Sequence, residues 1–131
     1  MWALGSAAAH GPAADTRAEA LARFDASAVA GSPYPHSMAY AALGAAEILQ
    51  RRPGHPGALS LLTIAASVIA EPPDDATWPW PTPRLSYANA AIAEAVIVAG
   101  EKLSRPHLPR RGLRMLDWLL AGDSTWLSGV E

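Results

Sequence analysis

Residues 37–49 read SMAYAALGAAEIL and residues 86–98 read SYANAAIAEAVIV. The two stretches align without a gap, alanine on alanine and aliphatic on aliphatic. Each is rich in small residues nearly all round, the pattern of a helix buried on more than one side. Around them lies a second pattern. LLTIAASVIA at 61–70 lines up with GLRMLDWLLA at 112–121, and more loosely with LARFDASAVA at 21–30. This second type carries one polar stripe, as an outer helix does. An inner helix followed by an outer one makes a hairpin of about 40–50 residues, the period of helical repeat arrays. Nowhere does the chain sustain the period-two alternation of a strand. The expectation is therefore an all-α fold of antiparallel helical hairpins, one domain spanning residues 1–131.

Local signals place six helices. The first runs from Met1 to His10 and stops at Gly11-Pro12. Thr16-Arg17-Ala18-Glu19 has the form of a capping box and predicts the start of the second, which ends near Gly31. Its apolar stripe is Leu21, Phe24 and Ala28, with Glu19 and Arg23 paired on the wet side. The third spans about His36 to Arg52 and is stopped by Pro53-Gly54. Pro56 opens the fourth, whose stripe is Leu59, Leu62, Ala66 and Ile69; Glu71-Pro72-Pro73 ends it. The fifth is expected from Ser86 to Leu103 with Ile92, Val96, Ala99 and Leu103 inside. The sixth runs from Pro106 to Ala121, with Arg110, Arg114 and Asp117 in solvent opposite Leu108, Met115 and Leu119. Gly122 is read as its stop, leaving DSTWLSGVE as a tail.

Composition narrows the chemistry. Half of the residues are hydrophobic and 17% are charged, the balance of a globular domain. The net charge of −2 and the scattered basic residues leave no footprint for nucleic acid. With no cysteine in the chain, disulfides, thiolate metal sites and cysteine nucleophiles are excluded. No apolar run reaches membrane-spanning length, and the N-terminus lacks a basic n-region, so no membrane partner is expected and the location is read as cytoplasmic. His10, His36, His55 and His107 lie far apart, each at a helix end or beside a proline, and are read as capping or surface residues. No metal site and no cofactor is expected.

The chemistry-bearing passage is WPWPTPRLSYANA, residues 78–90. It follows EPPDDAT and expands a connection that is only GSPYPH between the second and third helices. Insertions confined to one face of a repeat array mark a binding face. Trp78 and Trp80 are candidates for a platform that stacks on sugar rings; the competing reading is a lid over the hydrophobic core. Asp75, with Asp74, is a candidate hydroxyl-binding or acid group, against simple solvation of the loop. Arg84 is a candidate donor, against an exposed loop arginine. Asn89, in the first turn of an apolar helix, needs a partner: a ligand, or the loop backbone that it would brace. Tyr87 would present its hydroxyl while its ring packs. Glu94 is the other polar group of that helix, paired or exposed.

The run W-P-W-P-x-P-R-L-S-Y-A-N-A, followed by an apolar helix and then G-L-R-M-L-D-W-L-L, resembles the helical (α/α) toroid domains of six-hairpin glycosidase-like type associated with bacterial glycosyltransferases. The matching positions are Trp78, Trp80, Leu85, Tyr87, Asn89 and Ala90, then Gly112, Leu113, Leu116, Asp117, Trp118 and Leu119. Ala88 stands where that family usually has an aspartate, which removes a carboxylate. A closed toroid needs about six hairpins and this chain holds about three, so the resemblance implies an arc, part of a larger protein or a half completed by another copy. It further implies a carbohydrate-related domain accessory to glycosyl transfer, with little or no catalysis of its own, whose aromatic loop contacts a saccharide. Two alternatives remain open at this point. One is a helical scaffold for a protein partner or for self-association, with the tryptophans as anchors. The other is a glycosidase-like enzyme completed by oligomerisation, with Asp74 or Asp75 as acid; such chemistry needs two carboxylates about 5–10 Å apart, and no second one presents itself.

Overall fold

A computed structural model describes residues 1–70 and 75–128, with side chains as far as residue 122. It contains six α-helices and, among the described residues, no strand: α1 (Trp2–His10), α2 (Ala14–Ala28), α3 (Pro35–Arg51), α4 (Pro56–Ile69), α5 (Asn89–Lys102) and α6 (His107–Ser128). Consecutive helices pair as hairpins α1–α2, α3–α4 and α5–α6. The first helix of each pair forms one row, with α3 between α1 and α5. The second helices line the outside, where α2 touches α4. This is the hairpin array that the repeats predict, with α1 as the inner helix of the first unit.

Small residues explain how the inner row packs so closely. Ten of the seventeen residues of α3 are buried, from Met38 to Leu49, as befits a helix with neighbours on several sides. Where α1 crosses α3, Gly5 lies against the backbone of Gly44, and a Cβ on Gly44 would sit 2.7 Å from the Met1 carbonyl oxygen. The α5–α6 hairpin repeats the device: a Cβ on Gly112 would meet the Ala93 carbonyl oxygen at 2.8 Å. Into the layer between the rows go Phe24 from α2, Leu61, Leu62 and Ile69 from α4, Ile92 and Val96 from α5, and Met115 from α6. Each apolar stripe expected from the sequence faces this core.

Three boundaries differ from expectation. The capping box at Thr16 does not form: α2 starts at Ala14, with Ala13 extended as N-cap and no side-chain cap bond. Arg17 lies one turn in and donates through Nη1 to the Gly11 carbonyl at 2.8 Å, which ties the incoming chain without a hydroxyl cap. Glu19 instead pairs with Arg23 at 2.7 Å. Second, α5 begins at Asn89 and not at Ser86, because Ala88 takes a left-handed conformation (φ 48°, ψ 37°) that no helix can pass through. Third, Gly122 does not stop α6, which continues to Ser128. A helical glycine costs only about 1 kcal/mol, and no glycine among the described residues has a positive φ. The residues expected to end α4, Glu71 to Pro73, lie outside the described residues.

Among the described residues no helix is long and apolar enough to cross a membrane.

Candidate functional site

Pro79, Pro81 and Pro83 remove three backbone donors from the aromatic loop and fix its φ angles, so regular pairing is impossible there. Side chains take over. The Asp75 Oδ1 accepts from both the amide and the hydroxyl of Thr77, each at 2.8 Å. Its carbonyl accepts from the Trp78 amide at 3.2 Å. Trp78 donates from Nε1 to the Thr82 carbonyl at 2.7 Å, and the Thr82 hydroxyl donates to the Arg84 carbonyl at 2.8 Å. Asn89 closes the loop on Ser86, accepting its amide at 3.1 Å and donating to its carbonyl at 3.2 Å. The bracing role for Asn89 is therefore the one seen: both ends of its amide are occupied by backbone.

The two loop tryptophans turn inward. Trp80 is 4% exposed and belongs to the core. Trp78 is half-buried, and both rings pack on Trp118 of α6, Trp78 edge-on at 5.1 Å between centroids and Trp80 tilted at 5.9 Å. While α2 touches α4, no such helix–helix contact joins α4 to α6 among the described residues. The loop that leaves α4 thus reaches α6 through a cluster of three indoles. The Trp80 indole Nε1 is buried and finds no hydrogen-bond partner among the described residues. A ring so enclosed has no face left for a sugar. In this conformation Trp80 is a core residue, and Trp78 is half-buried against the core.

What the loop does present is Tyr87. The residue is 67% exposed, and its ring stacks on the His36 imidazole at 4.8 Å with an interplanar angle of 23°. The same His36 bonds through Nε2 to the Tyr87 carbonyl at 2.7 Å, so ring and backbone are held together. Arg84 and Leu85 are exposed nearby in sequence. The sequence pattern gave no sign of His36: it lies 51 residues from Tyr87, and only the side-by-side packing of α3 and α5 brings their N-terminal ends together. Nor did composition single out Trp118 as the anchor of the loop, although it stands within the motif that carries the family resemblance.

Asp75 is exposed, and the Thr77 hydroxyl, then the amides of Thr77 and Trp78, hold its carboxyl below the ordinary carboxylate range. A depressed value means the ionised, loop-bracing form is present at neutral pH and is lost only as pH falls through it. Such a group is a hydrogen-bond acceptor at neutral pH, the opposite of what an acid catalyst requires. Asp74 lies outside the described residues. Glu94 is exposed. Beside the loop, Ala76, Pro79, Arg114 and Trp118 line a cleft of about 200 Å³, below the range of about 300–1,000 Å³ usual for ligand pockets.

Three of the four histidines tie elements that are distant in sequence. His10 bonds Glu47 of α3 at 2.7 Å, His55 bonds Asp25 of α2 at 2.7 Å, and His36 holds the loop. Gly57 leaves room for the second pair, since a Cβ there would lie 2.6 Å from Asp25 Oδ1. His107 is exposed at the start of α6. Among the described residues no group of three or more His, Cys, Asp or Glu side chains could hold a metal ion.

The site residues thus fall into two sets. Trp78, Trp80 and Asn89 build the loop, and Tyr87, Arg84 and Asp75 remain on its surface. No protein-family model, curated protein or solved structure matches the chain.

Proposed function

We propose that the chain is a non-catalytic helical-hairpin domain, accessory to glycosyl transfer, that contacts a saccharide through its aromatic loop. The observation that carries this reading is the Tyr87 ring, exposed yet fixed in orientation by His36 stacked against it and bonded to its carbonyl. A rigid aromatic face with polar groups at its edge suits the apolar C–H face and rim hydroxyls of a sugar, and its preorganisation lowers the entropy lost on binding. The inner and outer rows of hairpins agree with an arc of an (α/α) toroid. The tryptophans serve as foundation: they fix the loop on α6 so that Tyr87 and Arg84 are displayed.

The test is a titration of oligosaccharides followed by NMR. Saturable shifts centred on Tyr87 and Arg84, lost in Tyr87→Ala with the fold retained, are expected. Absence of any shift across the sugar panel sinks the reading.

A second reading, a scaffold for self-association or a protein partner, is favoured by a different surface. Leu113 and Leu120 on α6 are 56% and 62% exposed and lie two turns apart on one side of the helix. Concentration-dependent dimerisation abolished by Leu113→Glu with Leu120→Glu, in a protein indifferent to sugars, would select it.

A further inference from the structure

The opposite end of the array from the α5–α6 hairpin holds a concentration of positive charge that the loop chemistry does not use. His10 and Gly11 at the end of α1, Arg17 in the first turn of α2, and Arg51 and Arg52 at the end of α3 line a cleft of about 400 Å³. That volume lies within the range of about 300–1,000 Å³ typical of small-molecule sites. The cleft is partly prearranged. Gly11 carries no side chain, and a Cβ there would stand 3.2 Å from the Cγ of Arg17. The arginine stem therefore crosses the glycine, and its Nη1 is anchored on the Gly11 carbonyl at 2.8 Å. Arg52 leaves the helix as its C-cap (φ −136°, ψ 77°) while its amide still bonds the Ile48 carbonyl at 2.8 Å. Successive helical residues diverge by about 100°; this turn lets Arg51 and Arg52 line the same cleft.

Helix C-termini attract cations, but only weakly and within about one turn. His10 meets that preference for α1 and Arg51 for α3. Arg17 and Arg52 are in excess of it. No carboxylate among the described residues lines the cleft; Glu47 bonds His10 from outside it, and Arg51 and Arg52 form no ion pair among the described residues. Three permanent positive charges thus share one cleft in a chain of net charge −2. They repel one another unless an anion lies between them. Guanidinium groups present planar donor pairs that match phosphate oxygens.

We propose that this cleft binds a small phosphorylated ligand, with Arg17, Arg51 and Arg52 as its phosphate-binding residues. The site is separate from the aromatic loop and independent of the saccharide reading. The probe is inorganic pyrophosphate, titrated calorimetrically at low salt into wild type, the double variant Arg51→Ala/Arg52→Ala, and a control double variant Arg105→Ala/Arg110→Ala of equal charge. Wild type and control should bind one equivalent. The cleft variant, whose altered side chains are exposed and leave the helical circular dichroism unchanged, should bind about tenfold more weakly or not at all. Arg51→Lys/Arg52→Lys, which keeps charge but loses the donor fork, should weaken binding by an intermediate factor. No saturable heat in wild type overturns the proposal, as does equal weakening in the cleft and control variants, which would mark a response to net charge alone. A single-stranded oligonucleotide that binds far more tightly than pyrophosphate, with several proteins per strand, overturns it in favour of a nucleic-acid surface.

Discussion

Two residues sit in a conformation that their side chains disfavour. Ala88 precedes α5 at φ 48°, and Ser104 follows it at φ 54°. Ser104 ends the helix in a Schellman arrangement, with the Arg105 amide on the Gly100 carbonyl at 2.9 Å and its own amide on the Glu101 carbonyl at 3.4 Å. A left-handed non-glycine residue costs about 1–2 kcal/mol, and glycine loses about 0.5–1 kcal/mol in chain entropy on being ordered. Ser104→Gly and Ala88→Gly should therefore each stabilise the fold by up to about 1 kcal/mol. Being at opposite ends of α5, their effects should add. Chemical denaturation of the single and double variants measures this; a loss of stability in both would mean that these dihedrals are not those of the folded chain.

At the scale of elements, three of the helical glycines do opposite work. Gly44 and Gly112 mark points where two backbones meet, and an added methyl would press on the Met1 carbonyl oxygen, at the N-cap of α1, at 2.7 Å and on the Ala93 carbonyl oxygen of α5 at 2.8 Å. For Gly122 nothing among the described residues lies within 4 Å of the place a methyl would occupy. Alanine raises helix propensity by about 1 kcal/mol at any of the three, whereas overpacking costs about 1–3 kcal/mol only where backbones touch. Gly44→Ala and Gly112→Ala should thus destabilise on balance and Gly122→Ala should stabilise. Thermal melts of the three single variants read the contrast directly. Gly122→Ala lowering the melting temperature as much as the others would contradict it.

Across the whole molecule, the outer layer is continuous from α2 to α4 through helix contact, and the connection to α6 runs through indole rings. Removing the buried ring should loosen the last hairpin from the other two. Trp80→Ala is expected to lose about 3–5 kcal/mol, the usual cost of deleting a buried large aromatic, with hydrogen exchange rising first in α6. If instead the variant is as stable as wild type and α6 stays protected, the loop is not what holds that hairpin. The histidine ties act at the same scale, each joining elements 30 or more residues apart.

Much of this was legible in the chain before folding. Helix identity, the alternation of inner and outer types and the inward stripes are set by propensity and period, which act over neighbouring residues. The repeat between residues 37–49 and 86–98 carried the hairpin architecture, and Asn89 announced its need for a partner because a polar amide opening an apolar helix cannot be left bare. Boundaries were less legible. The Thr16 capping box failed where an arginine from inside the helix satisfied the approaching backbone, and Gly122 failed as a stop because its cost is small beside the continuity of α6. What only the tertiary structure decided is the direction in which each polar or aromatic group faces. Trp80 could have been surface or core by its neighbours in sequence; the gap between α4 and α6 drew it in. His36 and Tyr87 meet because α3 and α5 pack side by side, and Arg17 and Arg52 line one cleft because α1 packs against both α2 and α3. That proximity is a property of three dimensions, and no local pattern encodes it.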